Sequence, residues 1–330
     1  MFMKKNLLFI SAFTALAIST FTGCSSNDNR TKIGILQPNH PALEAASNGF
    51  IKGLEEEGFN SNKVRFIKRA PKQDGSDLNA LAKDMVSQCS LSLGVATDPA
   101  KALKAASIDK GLTNPILFTA VTDPIGAGLV KSLDNGEGFL TGTSDINPVE
   151  QQIQLIKEIL PDVDKVGILY TVSEDNSKVQ ADMAQAEVVN QGWTAVAETV
   201  RNASEISTIA QKLVQTEGLD AIYIPTDNTI AANTGAIKAA VQGTGKLVVC
   251  GEESMLKGCG SVTLSIDYFK LGKMTGKMAA QILKGEKKAK EIPVGFIALQ
   301  DCEYVMSLNN AREAGVTIPQ DVQDTSRNVD

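Results

Sequence analysis

The sequence predicts an α/β protein made of two doubly wound, parallel-sheet lobes joined by a hinge. Three observations predict it. Short apolar runs alternate with amphipathic segments along the body of the chain, the pattern of a parallel sheet wrapped by helices. The alternation restarts after Asn147-Pro148, which gives two sets of elements rather than one. A further long amphipathic segment and apolar run follow the second set, a late return of the chain. At 330 residues the chain is long enough for two domains of ordinary size.

The opening residues are a targeting segment. Lys4 and Lys5 form a basic start, Asn6–Thr20 is mostly apolar but short for a bilayer, and Phe21-Thr22-Gly23-Cys24 precedes a polar run. This resembles a bacterial lipobox. It implies a signal peptide over 1–23, lipidation of Cys24 and a lipidated tether over 24–30; the alternative is an ordinary cleaved signal beside an incidental cysteine. The protein is expected to be exported and membrane-anchored, facing the periplasm or the cell exterior. Several acyl chains on one cysteine would hold it there.

In the first set, Thr31–Leu36 reads as a strand and Gln37–Pro41 as the loop at its end. Over Ala42–Gly58, Leu43, Ala46, Phe50, Ile51 and Leu54 fall at helical spacing, and Gly58 closes the helix. Lys63–Lys68 alternates like a strand, and Asp77–Ser87 is a helix. Leu91–Ala96 and Pro115–Ala120 are strands that both run into Thr-Asp-Pro, at Thr97-Asp98-Pro99 and Thr122-Asp123-Pro124. Asp before Pro is a helix-start signature: the carboxylate can cap free amides, and Pro has no N–H to leave unpaired. Each turn is therefore expected to open a helix, the first over Pro99–Lys110. Phe139–Thr143 is a short strand or crossover.

In the second set, Val149–Leu160, Ser177–Gln191, Ile206–Gln215 and Asn228–Val241 read as helices. They alternate with strands at Lys165–Tyr170, Thr194–Val200, Ala221–Pro225 and Lys246–Cys250. Ser261–Ile266, a helix over Phe269–Gly285 and a strand near Ile292–Ala298 complete the chain. The expected N-terminal lobe is 31–144 plus about 266–290, and the C-terminal lobe 145–265 plus about 291–330. In such a hinged pair a ligand lies between the lobes, against the carboxyl ends of both sheets.

Composition narrows the function. The net charge is −6, and becomes −8 once a leader carrying Lys4 and Lys5 is removed, with no basic stripe. A nucleic-acid partner is not expected. Lys284–Lys290 is the densest basic cluster and reads as a solvated helix end. Besides Cys24 there are Cys89, Cys250, Cys259 and Cys302. Cys250 and Cys259 flank a turn and could pair, while Cys89 and Cys302 read as buried small residues. No CxxC pattern occurs, and His40 is the single histidine. No metal site and no cofactor are expected. The GxSxG elbow, the Walker loop and the GxGxxG fingerprint are absent, so no enzyme and no catalytic residues are expected.

Several stretches carry a family resemblance: HPALEAASNGF, FTAVTDPIGAGLV, TGTSDINPVEQQIQLIKEILPDVDKVGILYTVSEDNS, IYIPTDN and SIDYFKLGKMTGKMAAQILKGE. The chain resembles the ABC-transporter substrate-binding lipoproteins that include tryptophan and other aromatic amino-acid binding proteins, over nearly the whole mature length. One departure is Ala96-Thr97-Asp98-Pro99, where the family commonly has Gly-Thr followed by small residues. The resemblance implies a type I periplasmic-binding-protein fold and a small amino-acid-like solute, best tryptophan or another aromatic amino acid. It also implies an ABC permease as partner, a lipid anchor through Cys24, and action as a monomer. Two alternatives stay open: a ligand sensor of the same fold docking on a signalling receptor, and an exported α/β enzyme.

An amino acid needs donors for its carboxylate and acceptors for its ammonium. Helix amino ends supply unpaired N–H groups and a favourable dipole. Thr97 and Thr122 precede two such ends and are favoured as contacts over Asp98 and Asp123, although Asp123 stays a candidate. From the opposite lobe come Ser173, Asn176 and Ser177 after one strand, Thr226, Asp227 and Asn228 after another, and Glu252 after a third. Asp227 is the first choice for the ammonium, with helix capping as its other role. His40 ends the first strand and should line the cleft. Pro38, Leu43, Phe118 and Tyr170 are the apolar candidates, and Trp193 reads as lobe packing.

Overall fold

The computed structural model describes residues 28–72 and 74–330. The expected signal peptide, Cys24 and the first part of the tether lie outside the described residues.

The central apolar runs pair as parallel strands buried on both faces, while the edge strands Val64–Arg69, Thr194–Val200 and Arg327–Asn328 are partly exposed. The first sheet takes the order β2-β1-β3-β4-β5: β1 Thr31–Leu36, β2 Val64–Arg69, β3 Leu91–Val95, β4 Ile116–Thr119 and β5 Leu140–Gly142, all parallel. Helices α1 Pro41–Glu56, α2 Leu78–Gln88 and α3 Thr97–Asp109 connect them. Ile33, Ile35, Leu91, Leu93 and Leu117 are inaccessible to solvent at the centre of this lobe.

The second sheet has seven strands in the order β12-β11-β10-β9-β8-β6-β7. They are β6 Lys165–Thr171, β7 Thr194–Val200, β8 Ala221–Ile224, β9 Leu247–Cys250, β10 Val262–Ser265, β11 Glu303–Met306 and β12 Arg327–Asn328. All pairings are parallel except β10 with β11. Its helices are α4 Val149–Ile159, α5 Asp175–Asn190, α6 Ile206–Val214, α7 Asn228–Ala231 and α8 Thr234–Val241. Trp193 packs in its core, as do Ile168, Tyr223 and Val248.

The chain passes between the sheets at 143–148, again between β10 and helix α9 Tyr268–Leu283, and again before β11. Helix α9 packs along α1 through small residues. A methyl group added to Gly272 or Gly276 would run into the backbone of Ala46 or Phe50, and one on Gly49 or Gly53 into that of Phe269 or Lys273. Only glycine allows this approach.

Several expectations differ from the structure. The second Thr-Asp-Pro turn opens no helix. Asp123 caps a single turn by accepting from Ile125 N (3.1 Å) and Gly126 N (2.9 Å), and the turn ends at Gly128 with φ +67°. Two glycines in three residues remove helix propensity there. The Asn228–Val241 helix is broken into α7 and α8 at Ala232-Asn233. No strand forms over 292–298. Gly295 N instead donates to Gly142 O (3.0 Å) and Ser144 N to Gly295 O (2.8 Å), so this stretch lies against the β5 edge, beyond the expected boundary near 290. The last two helices, α10 Leu308–Ala314 and α11 Gln320–Thr325, had no counterpart in the sequence reading. Cys250 and Cys259 are free thiols rather than a disulfide, and both are buried; Cys302 is half-buried. Each of those two thiols is satisfied as a small apolar core residue.

Candidate functional site

The carboxyl ends of β1, β3, β4, β6 and β8 face one cleft between the lobes. His40, Leu43, Ala96, Ala120, Thr122 and Tyr268 line it from the first lobe, Asn176, Thr226 and Asn228 from the second, and Asp145 from the first segment that joins them. The lobes meet closely. The cavity between them measures about 10 Å³, room for about one water molecule. An amino acid enters only if the lobes part. Beside it lies a larger groove of about 570 Å³, lined by Glu252, Glu253, Phe269, Asp301 and Arg327 among others, which shares Ala42 and Tyr268 with the cavity.

Two strand ends carry backbone strain. Ala96 (φ +79°) and Ala120 (φ +55°) are the non-glycine residues with positive φ among the described residues, and both line the cavity. L side chains rarely adopt this conformation, and it collects at ligand-binding positions. Ala96 is also the residue before α3, and no side chain caps that helix. The amides of its first turn and the positive end of its dipole are therefore left for an anion. Thr97 opens the helix and is buried; Asp98, expected as a cap, is exposed and makes no such bond.

Asp227, the first choice for an ammonium, is already fully engaged. Its Oδ2 accepts from Thr171 N (2.6 Å) and Ser177 Oγ (2.6 Å), and its Oδ1 from Thr171 Oγ1 (2.9 Å) and Ile230 N (2.8 Å). It caps α7 and ties it to β6 and α5. Burial and nearby Glu174 push its carboxyl up to about 7, while those hydrogen bonds pull it down. Ser177 is spent on the same bond. Asn176 Nδ2 donates to Thr226 O (2.9 Å), and Asn228 is held by Glu174 through its backbone and side-chain nitrogens (2.9 Å each). Ser173 is exposed in the turn after β6, and Asp123 faces away from the cavity in its own turn.

His40 caps α1: its Nδ1 accepts from Ala42 N (3.1 Å), leaving Nε2 facing Glu252 Oε1 at 3.7 Å. Glu252 is itself held by Ser254 N (2.6 Å) and Oγ (2.7 Å). The contact joins the two lobes and stands between the cavity and the groove. Of the apolar candidates, Leu43 lines the cavity, whereas Phe118 and Tyr170 are core residues.

Sequence reasoning missed Asp145. It lies in the first crossover, 2% exposed, and lines the cavity. Its Oδ1 accepts from Thr122 Oγ1 (3.0 Å) and its Oδ2 from the Tyr268 hydroxyl (3.0 Å). Burial pushes its carboxyl up to about 6, and Glu252 adds a like-charge push; the bonds from Tyr268 and Thr122 act the other way. No cation faces it among the described residues, in contrast to most buried carboxylates. The available signal was its place as the lone charge in Thr141–Val149, the segment that restarts the alternation.

Two α/β lobes, three interlobe segments and a buried, cation-free carboxylate opposite an uncapped helix end define a solute-binding protein of the hinged, two-lobe kind. Residues 32–329 match the ABC transporter substrate binding protein family, and the chain belongs to that family. It is 32% identical to a tyrosine-binding protein of Clostridioides difficile over 324 residues, covering 93% of this chain and 91% of that one. An ABC domain from Streptococcus pneumoniae in complex with L-Trp superposes with a TM-score of 0.83 at 35% identity, covering 91% of this chain and 99% of that one. The ligand-free, open structure of a substrate-binding protein from Clostridium difficile superposes with 0.68 at 30% identity, covering 91% and 99%. The lobe arrangement here is thus nearer the first of these structures. A myo-inositol-bound protein from Bacillus halodurans, 16% identical with a TM-score of 0.59, shares the fold. No helix among the described residues is long and apolar enough to cross a membrane.

Proposed function

We propose that this protein captures a single aromatic amino acid, tyrosine or tryptophan, between its lobes and delivers it to the permease of an ABC importer. The observation that carries this is the pairing of Asp145 with the uncapped amino end of α3 across one small cavity. An α-amino acid presents an ammonium and a carboxylate, and these two sides of the cavity offer each of them charge of the opposite sign. The side chain then lies toward Leu43 and Tyr268, on the side where the cavity adjoins the groove. The relatives' solutes support the aromatic class. The protein acts as a monomer outside the cytoplasm, tethered through lipidated Cys24, and the two sheets with their late return delimit its lobes. It has no catalytic role.

Thermal unfolding with each proteinogenic amino acid tests this reading, with ribose and inositol as controls. A solute at a hundred times its Kd adds about 2.7 kcal/mol to stability. Tyrosine or tryptophan is expected to do so; stabilisation by a sugar and by no amino acid would refute the reading.

A further inference from the structure

Six side chains form a ring of polar contacts around the floor of the cleft. Asn147 Nδ2 donates to Asp145 O (3.0 Å) and to Thr226 Oγ1 (3.1 Å), and lies 3.5 Å from the Tyr268 hydroxyl. On one arm, the Tyr268 hydroxyl donates to Asp145 Oδ2 (3.0 Å). On the other, Thr226 Oγ1 donates to Gln180 Oε1 (3.2 Å), Gln180 Nε2 to Thr122 Oγ1 (3.3 Å), and Thr122 Oγ1 to Asp145 Oδ1 (3.0 Å). Both arms end at Asp145, and the longer one runs from Asn147 with one consistent sense of donation. All six residues are buried.

The ring spans the hinge. Thr122 and Tyr268 belong to the first lobe, Gln180 and Thr226 to the second, and Asp145 and Asn147 to the crossover. Gln180 to Thr122 is the step that reaches directly from one lobe to the other, so parting the lobes must break it. Gln180 itself lies outside the cavity lining, so it acts through Thr122.

We propose that Gln180 is a positioning residue that couples a cationic group at Asp145 to closure of the lobes. This rests on the amino-acid reading given above. A cation beside Asp145 keeps it an acceptor on both oxygens. The Thr122 hydroxyl must then donate to it, which turns a Thr122 lone pair toward Gln180 Nε2. Aligned chains of this kind strengthen one another. Without the cation the charge buried at Asp145 is uncompensated, and the open arrangement, which lets water reach it and breaks the Gln180–Thr122 bond, competes.

The test uses the purified protein, L-tyrosine and L-tryptophan, stopped-flow binding and small-angle scattering. Gln180→Leu is expected to leave association within about twofold, to speed release about tenfold, the value of one hydrogen bond, and to reduce the contraction on binding. Thr122→Val attacks the same bond from the other lobe. In the double variant, Gln180→Leu should add little to Thr122→Val. Release and contraction at wild-type levels in Gln180→Leu, or fully additive effects in the double variant, overturn the proposal while leaving the amino-acid reading intact. If neither amino acid binds the unaltered protein, that reading falls and this one with it.

Discussion

The Asp145 carboxylate accepts the hydroxyl of Tyr268, 123 residues further along the chain, at 3.0 Å. That bond fastens the first crossover between the lobes to the start of the second, so the carboxylate sits where the molecule bends. Nothing cationic among the described residues offsets it. The carboxylate is costly to the ligand-free fold and, on the function proposed above, valuable to binding.

Asp145→Asn tests that opposition. The folded carboxyl titrates near 6, above its ordinary 3.8. A raised acid pKa means the folded state holds its proton longer, so ionisation costs stability as pH rises from about 4 to 6 and the cost persists above that. The ligand-free variant should therefore melt no lower than wild type at pH 8, and should lose any advantage below pH 5. Its affinity for the amino acid should fall about a hundredfold, as expected on losing a charged hydrogen-bond partner. In wild type, affinity should rise with pH through about 6 and level off. Calorimetry and melting curves from pH 5 to 8 check both; a flat affinity profile would count against Asp145.

Asp227→Ala should behave in the opposite way. It strands buried donors on Thr171, Ser177 and Ile230, at about 1–3 kcal/mol for each one left unsatisfied. Urea unfolding should show a loss of at least about 3 kcal/mol. Near-native stability combined with lost binding would return Asp227 to the role first expected of it.

His40 has two roles that substitution separates. His40→Ala removes the α1 cap, a cost of about 1 kcal/mol. His40→Asn keeps a good cap but cannot reach Glu252, 3.7 Å from the imidazole. Melting should distinguish alanine from asparagine. Release rates of bound amino acid should rise alike in both, because both open the contact between cavity and groove.

Lys101 and Asp175 also meet across the lobes, at 2.7 Å, but both are exposed. Such a pair contributes about 0–1 kcal/mol and is screened by salt. Lys101→Ala should weaken binding less than about fivefold at low salt, with no measurable effect at 0.5 M NaCl, read by titration at the two ionic strengths.

The sheets were legible because their central strands are apolar runs buried on both faces, and the cleft because two strands ended in the same Thr-Asp-Pro turn. The site was legible only in outline. Asp145 and Asp227 look alike in sequence, each an acidic residue beside a strand end. What separates them is donors brought from Thr171 and Ser177, 56 and 50 residues away from Asp227. Likewise Thr122-Asp123-Pro124 and Thr97-Asp98-Pro99 share letters, but glycines follow only the former. The hand-over near Gly295 depends on a hydrogen bond to Gly142, which no local pattern encodes.

The glycine-lined contact between α1 and α9 has a consequence for the order of assembly. Leu271, Ala279 and Ala280 belong to the same core as Ile33 and Phe50. The first lobe thus stays unfinished until about 240 further residues have emerged, by which time every element needed for most of the second sheet is available. Contacts this distant form late and slowly. The C-terminal lobe should therefore acquire protection from hydrogen exchange first during refolding, although its sequence comes second. A chain stopped before Tyr268 should present a groove along α1 for a chaperone to hold.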